Sequence, residues 1–174
     1  MGALHVDVLP LFPEIFAPVI GLSIVGRAIE RGLVDVRLHD LLDALEGRER
    51  ADERPYGGGP GMVLRIEPIA RTLDAILGAA PSEERSRIVL TSASGPVFRQ
   101  ANAEAWSELD RLILICGHYE GVDERVRSLY PVEEVSLGEF VLTGGEIAAM
   151  AFLDATTRLV PGVIDAESAA AESW

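Results

Sequence analysis

The stretch "DRLILICGHYEGVDERV", residues 110–126, decides the fold. Leu112, Ile113, Leu114, Ile115 and Cys116 form an unbroken apolar run. A run of that length without polar alternation predicts a strand buried on both faces, as in a parallel sheet. It stops at Gly117, and a second glycine, Gly121, closes a short loop before "VDERVRSLY", which reads as a short helix. The same grammar recurs on either side. Upstream, "RIVLTS" is a strand and "TSASGP" carries a glycine at its exit. Downstream, "VEEVSLG" is a strand and "SLGEFVLTGG" follows it. Three consecutive strand exits with glycine-bearing loops point to a small-molecule pocket, because ligands of open parallel sheets bind past the carboxyl ends of the strands. Taken singly, each glycine is as well explained by a turn.

The rest of the chain extends the pattern. "LHVDVLPLF", residues 4–12, suits a first strand, with Asp7 as a polar interruption. Pro13 and Glu14 open a helical stretch, where proline is tolerated in the first turn. Ile24, Ala28 and Ile29 carry it to Gly32. "VDVRLHD", residues 34–40, alternates at period two and reads as a second strand. A long polar loop over residues 45–63 follows, then a helix from Pro68 with Ile69, Leu73, Ile76 and Leu77 on one face. The last helix runs over residues 145–160 and is rich in alanine. The fold class is α/β, a mostly parallel sheet flanked by helices. At 174 residues one domain is expected, and no internal repeat is present.

Composition narrows the function. The net charge is −13, which argues against general nucleic-acid binding. Yet all 15 basic residues are arginine, the side chain that grips phosphates and base edges in a planar fork. Compositional bias accounts for the total. Local clusters at Arg48, Arg50 and Arg54, and at Arg125 and Arg127, can still carry a site. The single Cys116 lies inside the apolar run and reads as a buried thiol. No apolar run reaches the roughly 18 residues of a membrane helix. The start "MGALHVDVLPLFPE" lacks a cationic segment, so a cytoplasmic protein is expected. Neither GxxxxGK[ST] nor GxGxxG after the first strand occurs, which excludes the ordinary P-loop and Rossmann readings.

Four motifs in order, "DERPYGGGPGM", "CGHYEGVDERV", "SLGEFVLTGGE" and "RLVPGV", cover nearly the whole chain. Together the set resembles the bacterial tRNA (guanine-N1)-methyltransferase family, in the SPOUT class of knotted methyltransferases. The resemblance implies a C-terminal trefoil knot (the alpha-beta knot) and S-adenosyl-L-methionine (AdoMet) as methyl donor. It implies a homodimer with active sites at the subunit interface. It also implies methylation at N1 of the guanine immediately 3′ of the anticodon of a tRNA. Residues 1–164 would be the catalytic and AdoMet-binding domain and residues 165–174 the start of an interdomain linker. A C-terminal tRNA-binding helical domain would be absent from this chain.

By motif match, the donor contacts are Leu90, Thr91, Ser92 and Gly95 in the first loop. Gly117, Tyr119, Glu120 and Gly121 supply the second. Ser136, Leu137, Gly138, Glu139, Phe140, Val141, Leu142, Gly144 and Gly145 supply the third. The tRNA would meet Arg54, Tyr56, Gly57, Gly58, Gly59, Pro60 and Gly61, where bare backbone approaches a nucleotide and Arg54 and Tyr56 add charge and stacking. Arg158 matches the family's catalytic arginine. The tail "DAESAAAESW" departs from the family, whose aspartate acts as base. One gap places Glu172 on that aspartate, with Ser173 and Trp174 after it; without the gap Ser173 takes its place. The chemistry asks for both groups. Guanine N1 carries a proton that a base must remove, and a cation steadies charge moving to the carbonyl oxygen. No metal ligands are assigned, and a Mg2+ requirement is not readable from the sequence. Two alternatives stand beside this reading: a knotted dimer that binds AdoMet without methylating, and a SPOUT methyltransferase with another RNA target.

Overall fold

The computed structural model describes residues 2–80 and 85–165. Strand β1 (Leu4–Leu9) leads through a 3-10 turn (Pro13–Phe16) into helices α1 (Ala17–Gly21) and α2 (Ser23–Glu30), then β2 (Val34–Leu38). Two short strands, β3 (Asp52–Glu53) and β4 (Val63–Leu64), precede α3 (Ile66–Ala79), β5 (Ser86–Thr91) and α4 (Gln100–Ser107). The chain continues through β6 (Arg111–Ile115), α5 (Arg125–Leu129), β7 (Val132–Val135) and α6 (Glu146–Thr157).

Five strands form one sheet in the order β2-β1-β6-β5-β7, and every pairing is parallel. The apolar run at residues 112–116 is its central strand, buried throughout. Because side chains alternate across a strand, Leu112, Leu114 and Cys116 join the core on one face, with Trp106, Phe152 and Leu153. Ile113 and Ile115 join the other, with Ile69 and Leu73 of α3. Trp106, Phe98 and Phe152 pack ring against ring at centroid distances of 4.6–5.7 Å. The polar interruption in β1 is also explained. Asp7 is only 2 % exposed, and its carboxylate accepts from His39 and Arg111. Burial alone would raise its pKa; those two hydrogen bonds outweigh burial and hold it below the usual carboxylate range.

Two expectations need correction, and one helix was not expected. The stretch after Pro13 is not one helix. Leu22 is extended (φ −131°, ψ 164°) and Ser23 adopts φ 56°, so α2 sets off in a new direction. The cause is contact: a Cβ on Gly26 would lie 2.8 Å from the Gly21 carbonyl carbon, so the glycine pair lets the two turns pack against each other. Helix α4, which sequence pattern does not announce, is opened by the Arg99 amide donating to Asn102 Oδ1 at 2.8 Å. The long loop over residues 45–63 is not wholly irregular, since Asp52 and Glu53 pair antiparallel with Leu64 and Val63.

Candidate donor and nucleotide cleft

Parallel register brings the strand exits together. Leu90 pairs with Ile115 and Thr91 with Val135, so β5, β6 and β7 end at one edge of the sheet. The three glycine-bearing loops emerge there and enclose a cleft of about 1010 Å³. That is at the upper end of the size of small-molecule sites, roughly 300–1,000 Å³.

The loops are held by their own polar groups. The Thr91 hydroxyl donates to the Ile115 carbonyl at 3.2 Å and accepts from the Gly117 amide at 2.9 Å, tying two strand ends. Ser136 Oγ donates to the Gly138 carbonyl at 2.7 Å and accepts the Gly138 amide at 3.2 Å, which curls the third loop. Ser92 Oγ accepts the Ser94 amide at 3.2 Å. These hydroxyls are spent on the scaffold; the lining otherwise combines backbone groups, the apolar side chains Leu90, Leu137, Leu142 and Phe140, and the charged side chains Glu120, Asp123 and Arg125. At Gly145 the third loop presses onto the other two. Its amide donates to the Gly117 carbonyl at 2.7 Å, and a Cβ there would lie 1.9 Å from Thr91 Oγ1 and 2.6 Å from the Gly117 nitrogen. Only a residue without a side chain fits.

Of the expected donor contacts, Leu90, Thr91, Ser92, Gly117, Tyr119, Glu120, Gly121, Ser136, Leu137, Phe140, Val141, Leu142, Gly144 and Gly145 line the cleft. Gly95, Gly138 and Glu139 do not. Gly95 packs behind it, where a Cβ would meet the Glu134 carbonyl carbon at 2.7 Å; Gly138 backs the Phe140 ring, where a Cβ would stand 2.5 Å from the ring. Among the nucleotide-side residues Tyr56 reaches the cleft, and the Arg125 guanidinium stands over its ring at 5.5 Å. Arg54, Gly57, Gly58, Gly59, Pro60 and Gly61 form an exposed lip outside the lining.

Two residues that the sequence reading passed over meet at the cleft, His118 in its lining and Glu146 buried behind it. His118 Nε2 lies 2.7 Å from both carboxylate oxygens of Glu146, whose side chain is 6 % exposed. Glu146 also accepts the Leu11 amide at 3.2 Å. Burial pushes Glu146 up, but the bonds from His118 and from backbone amides outweigh it, so its carboxyl sits below the usual range. The pair spans 28 residues of chain, and its only local trace is a histidine between glycines and a glutamate after "GG". Asp123, 8 % exposed, is likewise held low, chiefly by its bond from Arg125.

Arg158 is at the far end of α6, whose first residues border the cleft. Twelve residues of helix rise about 18 Å, so Arg158 is well removed from the cleft of its own chain. Glu172 lies outside the described residues.

The family model described as tRNA (Guanine-1)-methyltransferase TrmD matches residues 4–174. A tRNA (guanine-N(1)-)-methyltransferase of Streptococcus uberis is 50% identical over 165 residues, covering 95% of this chain and 66% of the relative. One from Geobacter metallireducens is 47% identical, covering 94% and 66%. The chain thus spans just under two thirds of the length of these relatives. Among solved structures, the tRNA (m1G37) methyltransferase of Aquifex aeolicus superposes with a TM-score of 0.84 at 38% identity. The match covers 94% of this chain and 73% of that one.

Proposed function

The chain belongs to the tRNA (guanine-1)-methyltransferase family, and on that premise we propose that it transfers a methyl group from AdoMet to N1 of the tRNA guanine immediately 3′ of the anticodon. The observation that carries the reading is the closure of three glycine-bearing loops around one cleft, with the nucleotide-side Tyr56 at its rim. The cleft fits the donor. It has the volume, apolar walls for an adenine, and exposed backbone groups where Gly145 lets three strands of backbone meet.

AdoMet supplies a methyl group on a sulfonium, so the protein's task is to hold donor and acceptor in line. The loops after β5, β6 and β7 position the donor. The lip over residues 57–61 receives the nucleotide, whose base leaves its stack to reach the cleft. Glu172 removes the N1 proton, and Arg158 steadies charge developing on the guanine carbonyl oxygen.

A homodimer belongs to this reading. One chain keeps Arg158 at the end of α6 away from its own cleft, the helix rising about 18 Å over its length, and a partner brings its own arginine to that cleft. Exposed apolar side chains, Phe12 at 57% beside the cleft and Phe140 at 55% and Val141 at 84% in its lining, suit a covered face. The trefoil knot belongs to it too: the segment 136–145 returns from the edge strand β7 to the exit of β6. A cytoplasmic location goes with a tRNA substrate.

Calorimetry with AdoMet and a methylation assay on tRNA with guanine at that position test the proposal. A transcript with the guanine replaced should accept no methyl group. Glu172→Gln should lower the single-turnover rate by roughly two to four orders of magnitude, the usual share of a general base, with AdoMet affinity unchanged. Arg158→Ala should also lower rate more than donor affinity. Donor binding without methylation would reduce the reading to a binding module; methylation of the replaced transcript would move it to another RNA target.

A further inference from the structure

Gly61 lies on the exposed lip and does not line the cleft. A Cβ placed on it would nonetheless stand 2.3 Å from Glu120 Cγ and 2.8 Å from Glu120 Oε1. The Glu120 side chain, which lines the cleft, is therefore folded across the bare α-carbon of Gly61. The backbone binds the same two segments. The Glu120 amide donates to the Met62 carbonyl at 2.9 Å, the Leu64 amide to Gly121 at 2.9 Å, and the Asp123 amide to Leu64 at 3.0 Å. Val63 and Tyr119 form an antiparallel bridge. Tyr119 holds φ 59°, an uncommon conformation for a residue with a side chain, within this joint.

We propose that Gly61 is a positioning residue: its missing side chain is the seat of Glu120, and through Glu120 it sets the shape of the donor side of the cleft. The glycine lip and the loop of residues 117–123 move as one body. Donor and nucleotide occupancy are then coupled, and by linkage each changes the other's affinity by the same factor. The inference rests on the reading of the cleft as a donor site.

A matched control is built into the lip. Gly58 and Gly61 have nearly equal φ, +82° and +83°, but nothing lies within 4 Å of a Cβ on Gly58. Gly58→Ala and Gly61→Ala both place a side chain at left-handed φ, and only the second meets Glu120. In calorimetry with AdoMet on the full chain, Gly61→Ala should weaken binding about tenfold, within the usual range of coupling between sites. Gly58→Ala should leave donor affinity close to the parent's. In the Glu120→Ala background, Gly61→Ala should cost nothing further. Equal losses in the two alanine variants, or losses that simply add in the double variant, would overturn the proposal. Hydrogen exchange without ligand separates it from the donor reading. The Glu120, Leu64 and Asp123 amides should exchange faster in Gly61→Ala than in Gly58→Ala. That pattern in a protein whose parent binds no AdoMet would keep the joint and sink the donor site; unchanged exchange would sink the joint.

Discussion

Gly58 and Gly145 lack a side chain for opposite reasons. Gly58 stands in open space on the lip with φ +82°, next to Gly57 at +92° and Gly59 at +126°. What it supplies is a left-handed backbone that residues with a Cβ adopt only at a cost. Gly145 has no such angle, and its need is room: Thr91, Cys116 and Gly117 all lie within 3 Å of where a Cβ would go. One glycine lets the chain turn, and the other lets three segments of chain touch. The lip is thus free to meet a large substrate, while the cleft floor is jammed into a single shape. A floor of that kind suits a donor that must be held to a fraction of an ångström, and a lip of the other kind suits an RNA that has to be admitted and released.

The sharpest way to break this contrast is Gly145→Ala. The added methyl has little to displace: its nearest neighbour, the Thr91 hydroxyl, is bonded to the Ile115 carbonyl and the Gly117 amide, and Gly117 and Cys116 present backbone. Overpacking at such a site costs about 1–3 kcal/mol. The expected result is a lower melting temperature together with loss of measurable AdoMet binding. A variant that melts and binds like the parent would show that the floor yields. Gly58→Ala should cost less, about 1–2 kcal/mol of backbone strain at most. It should lower tRNA methylation while the melting temperature falls by only a few degrees. A larger thermal effect than that of Gly145→Ala would invert the comparison.

The smallest effect concerns acid. Glu146, bonded to His118 beneath the floor, has a folded pKa below its ordinary value of 4.5. A depressed carboxylate stabilises the fold above its unfolded pKa, and that contribution is lost as pH falls through the folded one. Stability should therefore decline from about pH 4.5 downward, and Glu146→Gln should flatten that decline in a series of melts. An unchanged slope would place the acid sensitivity elsewhere, among the other carboxylates held low by their bonds, Asp7, Glu49 and Asp123.

Much of this was legible in the chain. The strands β1, β2, β5, β6 and β7 fall where apolar runs and alternation place them, because a strand covered on both faces must be apolar whatever its neighbours are. The three cleft loops followed from the same rule, since parallel strands deliver their exits to one edge. Helix α4 was not legible: only Ala103, Trp106 and Ser107 in it are buried, too few to write a periodic stripe. The two-residue pair β3–β4 and the break at Leu22 left no pattern either, as each depends on a contact between separated backbones.

The sequence by itself determined the five strands of the parallel sheet and the glycine-bearing loops at three of their exits, because burial and turn chemistry are written in runs of neighbouring residues, and its four motifs carried the family. Tertiary structure alone decided the rest. It joined His118 to Glu146 across 28 residues, seated Glu120 on Gly61, and placed Arg158 a helix length from the cleft beside which α6 begins. Each of these depends on distances between segments that the chain brings together only by folding, and distance in space leaves no mark in the spacing of letters.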